Sequence, residues 1–269
     1  AAKRLGAQIL TDTEVTSIAV NSGKVEGVQT NIGKIAAEVV INAAGVYAPF
    51  IGRMVGVEIP IVPRRGQILV TEPLPPLINS IMLCACYIVA KFKMGSGNVE
   101  KQKDKRRVLQ LSGDDWNDGR MEELHSAKEL DANCKRRNER VEKQEGKDPN
   151  FIRDAQLGVG TVLEQHHASN LLIGSTREFV GYDRRVTIEG MRAVARHAKN
   201  ILPILRDVHI IRSFAGLRPY TSDGLPFIGY IGGPEGFLVA VGHEGDGIAL
   251  APITGKLMAD CVENAKRET

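Results

Sequence analysis

The stretch Gly242-His243-Glu244-Gly245-Asp246-Gly247 gathers three glycines, two acids and a histidine between the apolar run Phe237-Leu238-Val239-Ala240-Val241 and Ile248-Ala249-Leu250-Ala251. That order predicts a strand, a glycine-rich turn and a helix. Without side chains at Gly242, Gly245 and Gly247 a flat ligand can approach the backbone closely, and the helix start aims free N–H groups at it. Such a helix end carries roughly half a positive charge, which suits phosphate or the electron-rich pyrimidine edge of a reduced flavin. The same pattern also suits a tight βα connection whose glycines serve geometry alone.

Other chemistry-bearing groups are sparser. Pro63-Arg64-Arg65-Gly66-Gln67 holds two guanidinium groups that could clamp an anion, but neighbours in a strand face opposite ways. At most one is expected to point inward, and both read as surface charges. Asn42-Ala43-Ala44-Gly45 puts small residues where a strand ends, which allows a ligand, or simply close packing, against the backbone. Cys84-Ala85-Cys86 lacks the spacing of a redox or zinc pair and reads as small buried residues on one strand face. His166 and His167 fall on a hairpin tip, and His125 and Cys134 have no neighbouring ligands, so no metal site is expected.

The elements that must position these groups follow from periodicity. Ala1 to Gly6 reads as the end of a helix with a glycine cap, and Ala7 to Leu10 as a short strand. Val15 to Val20 and Lys24 to Thr30 alternate around Asn21-Ser22-Gly23, predicting a β-meander. A buried strand at Glu38 to Ala43 leads to a helical segment from Tyr47 to Val55. Further strands are expected within Ile61 to Glu72 and at Ser80 to Phe92, Leu157 to Glu164, Asn170 to Thr176, Val208 to Leu217 and Phe227 to Gly229. Helices are expected at Val186 to Leu202 and Gly247 to Asn264, and Arg218 to Pro226 reads as a turn-rich loop. Lys93 to Asn150 is rich in intermixed charge and poor in apolar period, an insertion suited to solvent or partner docking.

Composition bounds the rest. The 269 residues are 43% hydrophobic and 25% charged, enough for one large or two modest domains. A net charge of +3 implies no polyanionic partner, and no apolar run is long enough to span a bilayer. Four scattered cysteines suit a reducing, cytoplasmic setting.

Gly216-Leu217-Arg218-Pro219-Tyr220-Thr221-Ser222-Asp223-Gly224-Leu225-Pro226-Phe227-Ile228-Gly229 followed by Gly242 to Ile248, with Asn42 to Gly45 and Pro63 to Gln67, resembles the D-amino-acid oxidase superfamily of FAD enzymes. The resemblance extends over nearly all the chain except the charged insertion, in the branch of sarcosine oxidase beta subunit, glycine oxidase and hydroxyproline dehydrogenase. It implies an α+β and α/β fold: a partial Rossmann-like FAD-binding domain over residues 1–60 and 208–269, and an antiparallel-sheet substrate domain over 61–207 carrying the insertion 93–150. Members open with a G-x-G-x-x-G unit that holds the FAD pyrophosphate. This chain has none, so the expectation is a truncated protein or one whose missing half is supplied separately.

By that resemblance Val15 meets the adenine side, and Ala44, Gly45 and Gly216 flank the cofactor. Gly245, Asp246, Gly247 and Ile248 present backbone to the flavin, with His243 and Glu244 at its border. Arg218, Tyr220 and Gln67 fall to the substrate: Arg218 for its carboxylate or, alternatively, bound to Asp223, and Tyr220 either orienting the amine or packing. The implied reaction is hydride transfer from the carbon beside a neutral amine to flavin N5, with no compulsory protein base. Ala249 stands where monomeric sarcosine oxidases have an oxygen-activating lysine, and their flavin-linking cysteine has no counterpart near Leu217 to Tyr220. Noncovalent FAD, a dehydrogenase-like electron exit and a redox partner subunit follow by resemblance. Two other readings stand beside it: a noncatalytic fragment or assembly subunit that keeps the fold but binds no flavin on its own, and, ranked lower, a nucleic-acid module using Lys93 to Asn150.

Overall fold

The computed structural model describes residues 1–84, 154 and 156–267, so the insertion at 93–150, with His125 and Cys134, and Cys86 before it lie outside the described residues. Two compact units emerge: residues 1–67, 178–186 and 214–269, and residues 68–177 and 187–213.

In the first unit β1 (Val15–Asn21), β2 (Lys24–Thr30) and β3 (Gly33–Ala36) form an antiparallel meander. Its first turn takes positive φ at Ser22 and Gly23, the conformation that matches a two-residue hairpin to the twist of its strands. Residues 7–10 are not a strand, and the expected N-terminal helix is a single 3₁₀ turn, Ala2–Leu5, closed by Gly6 in the left-handed region. None of its residues is buried, so no packing extends it.

A second sheet carries the resemblance. β4 (Val40–Asn42) pairs in parallel with β11 (Phe237–Val241), and β10 (Phe227–Gly229) pairs antiparallel on the other side of β11. After β4 come a 3₁₀ turn at Gly45–Tyr47 and α1 (Ala48–Arg53). The apolar run of β11 is buried almost throughout because it lies between two strands in the core, where Phe237, Val239 and Val241 meet Ile18, Val25, Ala48, Val57, Ile59 and Ile61. α3 (Gly247–Arg267) follows the glycine turn directly.

A five-stranded sheet is ordered β6-β7-β8-β5-β9, comprising β6 (Met82–Leu83), β7 (Val162–Gln165), β8 (Asn170–Gly174), β5 (Val62–Pro73) and β9 (Ile210–Tyr220); the second unit holds β6, β7, β8, residues 68–73 of β5 and residues 210–213 of β9. α2 (Ile188–Ile201), between β8 and β9, starts where Thr187 Oγ1 accepts the Gly190 N–H, and it buries Ala193, Val194 and Ala198 against Leu69, Leu163, Leu171 and Ile173. Of the strand expected at Ser80 to Phe92, residues 80–84 are described and only Met82–Leu83 of them are strand, and β7 is shorter than expected because 157–161 is not strand. β9 in turn runs on through Arg218-Pro219-Tyr220, which the sequence assigns to a loop. Among the described residues no helix is long and apolar enough to cross a membrane.

Candidate functional site

The site is built in the first unit on the stretch Pro63 to Gln67 of β5, where every residue is buried. The alternation rule gives the two faces but not their exposure. Arg64 is 1% and Arg65 3% exposed, so the expectation that both are surface charges is overturned. Burial covers both sides of the strand, and each guanidinium has an acid to meet.

On one face Arg65 is enclosed. Its Nη2 donates to Glu178 Oε2 at 2.7 Å and its Nε to Oε1 at 3.4 Å, while Nη1 donates to the Arg185 carbonyl at 2.9 Å. Gln67 Nε2 donates to the same Glu178 Oε1 at 2.8 Å. Backbone bonds join Arg65 and Glu178 in both directions. Asp183, 3.3 Å from Arg65 Nη1, is brought down to about 2 mainly by hydrogen bonds from Arg185. Gln67, expected at the substrate, is therefore 1% exposed and bound into a protein network.

The opposite face carries Arg64 and Gly66, and two residues of β9 meet them. The Arg64 guanidinium carbon lies 4.8 Å from the centre of the Tyr220 ring, a cation–π contact. The Arg218 guanidinium covers Gly66 so closely that a Cβ there would fall 2.7 Å from its Cζ. Only glycine leaves room for this arginine. Arg64 Nη2 donates to Glu244 Oε2 at 2.8 Å, and both side chains are nearly sealed, at 1% and 4% exposure. Tyr220 packs edge-on against Phe179, and burial raises its hydroxyl above the usual value while Arg64 pulls the other way.

Glu244 belongs to the turn between β11 and α3. Gly242 opens that turn at φ 89°, and a Cβ there would stand 2.7 Å from Thr221 Cγ2. Glu244 itself adopts φ 49°, an uncommon conformation for a residue with a side chain. His243 Nε2 lies 2.9 Å from Thr254 Oγ1, tying the turn to α3, and burial lowers the imidazole below its ordinary value. Gly245, Asp246 and Ile248 are exposed, Ile248 at 95%. The turn thus offers backbone, little side-chain bulk and the open N-terminus of a 21-residue helix, a cradle that fits the edge of an anionic ring system.

The remaining sequence-predicted residues scatter around this unit. At the end of β4 Asn42 holds its loop shut, donating from Nδ2 to the Ala48 carbonyl at 3.0 Å and accepting the Ala44 N–H at 3.2 Å. Ala44 is exposed and Gly45 half-buried at φ 57°. Val15 is half-buried at the start of β1, and Gly216 is exposed on β9 with open space where a Cβ would be. Sequence reasoning missed Glu178, which has no local signal because it lies 113 residues from Arg65. It also missed the inward turn of Arg64, for which the glycine two residues later was a usable hint.

Comparison with known proteins turns on the family description "FAD dependent oxidoreductase" (DAO), whose model matches residues 1–147 and 135–261. The chain belongs to this family. Among its relatives, hydrogen cyanide synthase subunit HcnC of Pseudomonas protegens is 27% identical over 96% of this chain and 44% of its own length. Glycine oxidase of Geobacillus kaustophilus is 28% identical over 100% of this chain and 51% of its own. L-Proline dehydrogenase from P. horikoshii superposes with a TM-score of 0.66 at 23% identity, over 97% of this chain and 52% of that one. The chain therefore spans about half the length of the curated relatives it matches. The fold is that of FAD-dependent oxidases, mixed α/β with antiparallel sheets, and FAD is the cofactor of the family.

Proposed function

We propose that the protein carrying this chain is an FAD-dependent amino acid or amine oxidoreductase that oxidises the C–N bond of a small substrate such as sarcosine, glycine, proline or a D-amino acid. The observation that carries this reading is the Arg218 guanidinium laid over Gly66 beside Tyr220, in the same unit as the glycine turn. A planar guanidinium forms paired bonds with a carboxylate, and a hydrogen bond to a charged group is worth about 1.5–3 kcal/mol. Bound FAD supplies the hydride acceptor.

The chain's own residues hold and orient. Arg218 takes the substrate carboxylate, and Tyr220, fixed by its ring contacts, limits the space beside it. Gly245, Asp246, Gly247 and Ile248 at the start of α3 would hold the flavin, and the helix end there would stabilise added negative charge. Val15, Ala44, Gly45 and Gly216 complete the cofactor's surroundings, and His243 positions the turn through Thr254. Gln67 acts at one remove, through Glu178. The domain division at residues 60 and 208 separates cofactor-binding from substrate-binding parts in this reading. A hetero-oligomer is supported by HcnC being named a subunit, and a cytoplasmic setting by the unbridged thiol of Cys261.

The test is an absorbance spectrum of the purified protein with added FAD, followed by anaerobic addition of each amine. The expected result is retained flavin bands that bleach with one substrate class. Retention without bleaching by any amine overturns the amine reading, and no retention favours a noncatalytic assembly subunit.

A further inference from the structure

The Arg64–Glu244 pair is built unlike the arginine–carboxylate pairs at Asp154 and Glu178. Arg196 grips Asp154 with two bonds of 3.0 Å, and His197 Nε2 lies 3.3 Å from the same carboxylate. Arg65 engages both oxygens of Glu178, with Gln67 added. Arg64 makes a single bond to Glu244, from Nη2 to Oε2, and its Nε and Nη1 are buried with no partner. Among the described residues Glu244 Oε1 receives no donor. The acid also sits on a backbone of φ 49° in the turn of the candidate site.

A pair selected for stability alone would close its fork, since unsatisfied buried donors and a left-handed backbone both cost energy. Strain and open valences at a candidate site point instead to a ligand.

We propose that Glu244 is the amine-recognising group of the site: with Oε2 fixed on Arg64, Oε1 receives an N–H of the substrate amine while Arg218 holds the carboxylate. This rests on the amino-acid reading above. Arg64 and Gly66 are two positions apart on β5, roughly 7 Å, and Glu244 and Arg218 stand on them respectively. Glu244 and Arg218 thus meet neighbouring positions on one face of the strand, an arrangement that suits a substrate carrying its amine and carboxylate close together, as an α-amino acid does. The charges of Arg64 and Glu244 offset each other, so a single substrate carboxylate answers to Arg218. The substrate class is an α-amino monocarboxylate whose amine keeps at least one N–H, primary or secondary. When the carbon beside nitrogen loses hydrogen with both bonding electrons to the flavin, the nitrogen lone pair forms the C=N bond and the nitrogen becomes positive. Glu244 stabilises that charge and retains the N–H.

The test titrates the FAD-loaded protein with 2-aminoisobutyrate, which has no α-hydrogen to give up, and with pivalate, in which a methyl group replaces the amine. Flavin absorbance reads both affinities. Wild-type protein is expected to prefer the amine, and Glu244→Gln to lose about tenfold for it while pivalate affinity stays within about twofold. Equal weakening of both ligands, or an undiminished preference, overturns the proposal. If Glu244→Gln does not retain flavin, the Arg64 variants decide: Arg64→Lys keeps a cation beside Oε2 and retains the preference, whereas Arg64→Met abolishes it. Equal preference in those two variants likewise overturns it. Wild-type protein that binds pivalate without preferring the amine sinks this inference alone, and binding of neither ligand sinks the amino-acid reading itself.

Discussion

The two faces of β5 between Pro63 and Gln67 hold the same kind of pair, an arginine with a glutamate, and use it differently. Behind Arg65 and Gln67, both carboxylate oxygens of Glu178 are met by protein donors and the backbone bridges are doubled. Across the strand, Arg64 reaches Glu244 by one bond, keeps two nitrogens unpartnered, and shares its face with a glycine that makes room for Arg218. One face is closed upon itself and the other is left incomplete. The difference teaches that burial of a charged pair does not define its role; the count of satisfied valences does.

The largest effect that would break this comparison is on stability. Glu178→Ala removes the buried carboxylate that takes two bonds from Arg65, leaving Asp183 at 3.3 Å as its acidic partner, and is expected to destabilise by about 3 kcal/mol in urea unfolding. A loss below about 1 kcal/mol would show that the closed face is not structural. Arg218→Lys should instead weaken carboxylate ligands about tenfold or more while changing unfolding free energy by less than about 1 kcal/mol, because a point charge replaces a planar fork.

Gly66→Ala sharpens the contrast within one position. Its Cβ would displace the Arg218 guanidinium, costing roughly 1–3 kcal/mol in stability and reducing carboxylate affinity together. If affinity is unchanged, Arg218 is not held by Gly66. The smallest effect concerns His243, whose folded value lies below its ordinary 6.5 because of burial. The unfolded chain then binds a proton more readily, so stability is full above about pH 6.5 and declines as pH falls through that value. Thermal melts from about pH 7 to 5 should show a shallower decline for His243→Gln than for wild type.

Much of this was legible in the chain. The unbroken apolar run Phe237 to Val241, the glycines after it and the apolar helix beyond read correctly as strand, turn and helix because each depends on local pattern. The hairpin at Asn21 to Gly23 read correctly for the same reason. Local pattern failed where the outcome depended on distant chain. Residues 7–10 are apolar enough for a strand but pair with none among the described residues, and Arg218 to Tyr220 looks like a turn yet stays extended as part of β9. The resemblance singled out Arg218 and the turn residues as candidates, while Glu178 was invisible because nothing near it in sequence announces a partner for Arg65.

The sequence by itself determined the family, the mixed α/β character and the glycine-rich turn, since these rest on residue types at short spacings. Only the tertiary structure decided that both Arg64 and Arg65 are buried, which glutamate each meets, and that Gly66 makes room for Arg218. Those outcomes depend on segments over 100 residues apart packing against both faces of one strand, and alternation along a strand names its faces without saying what covers them.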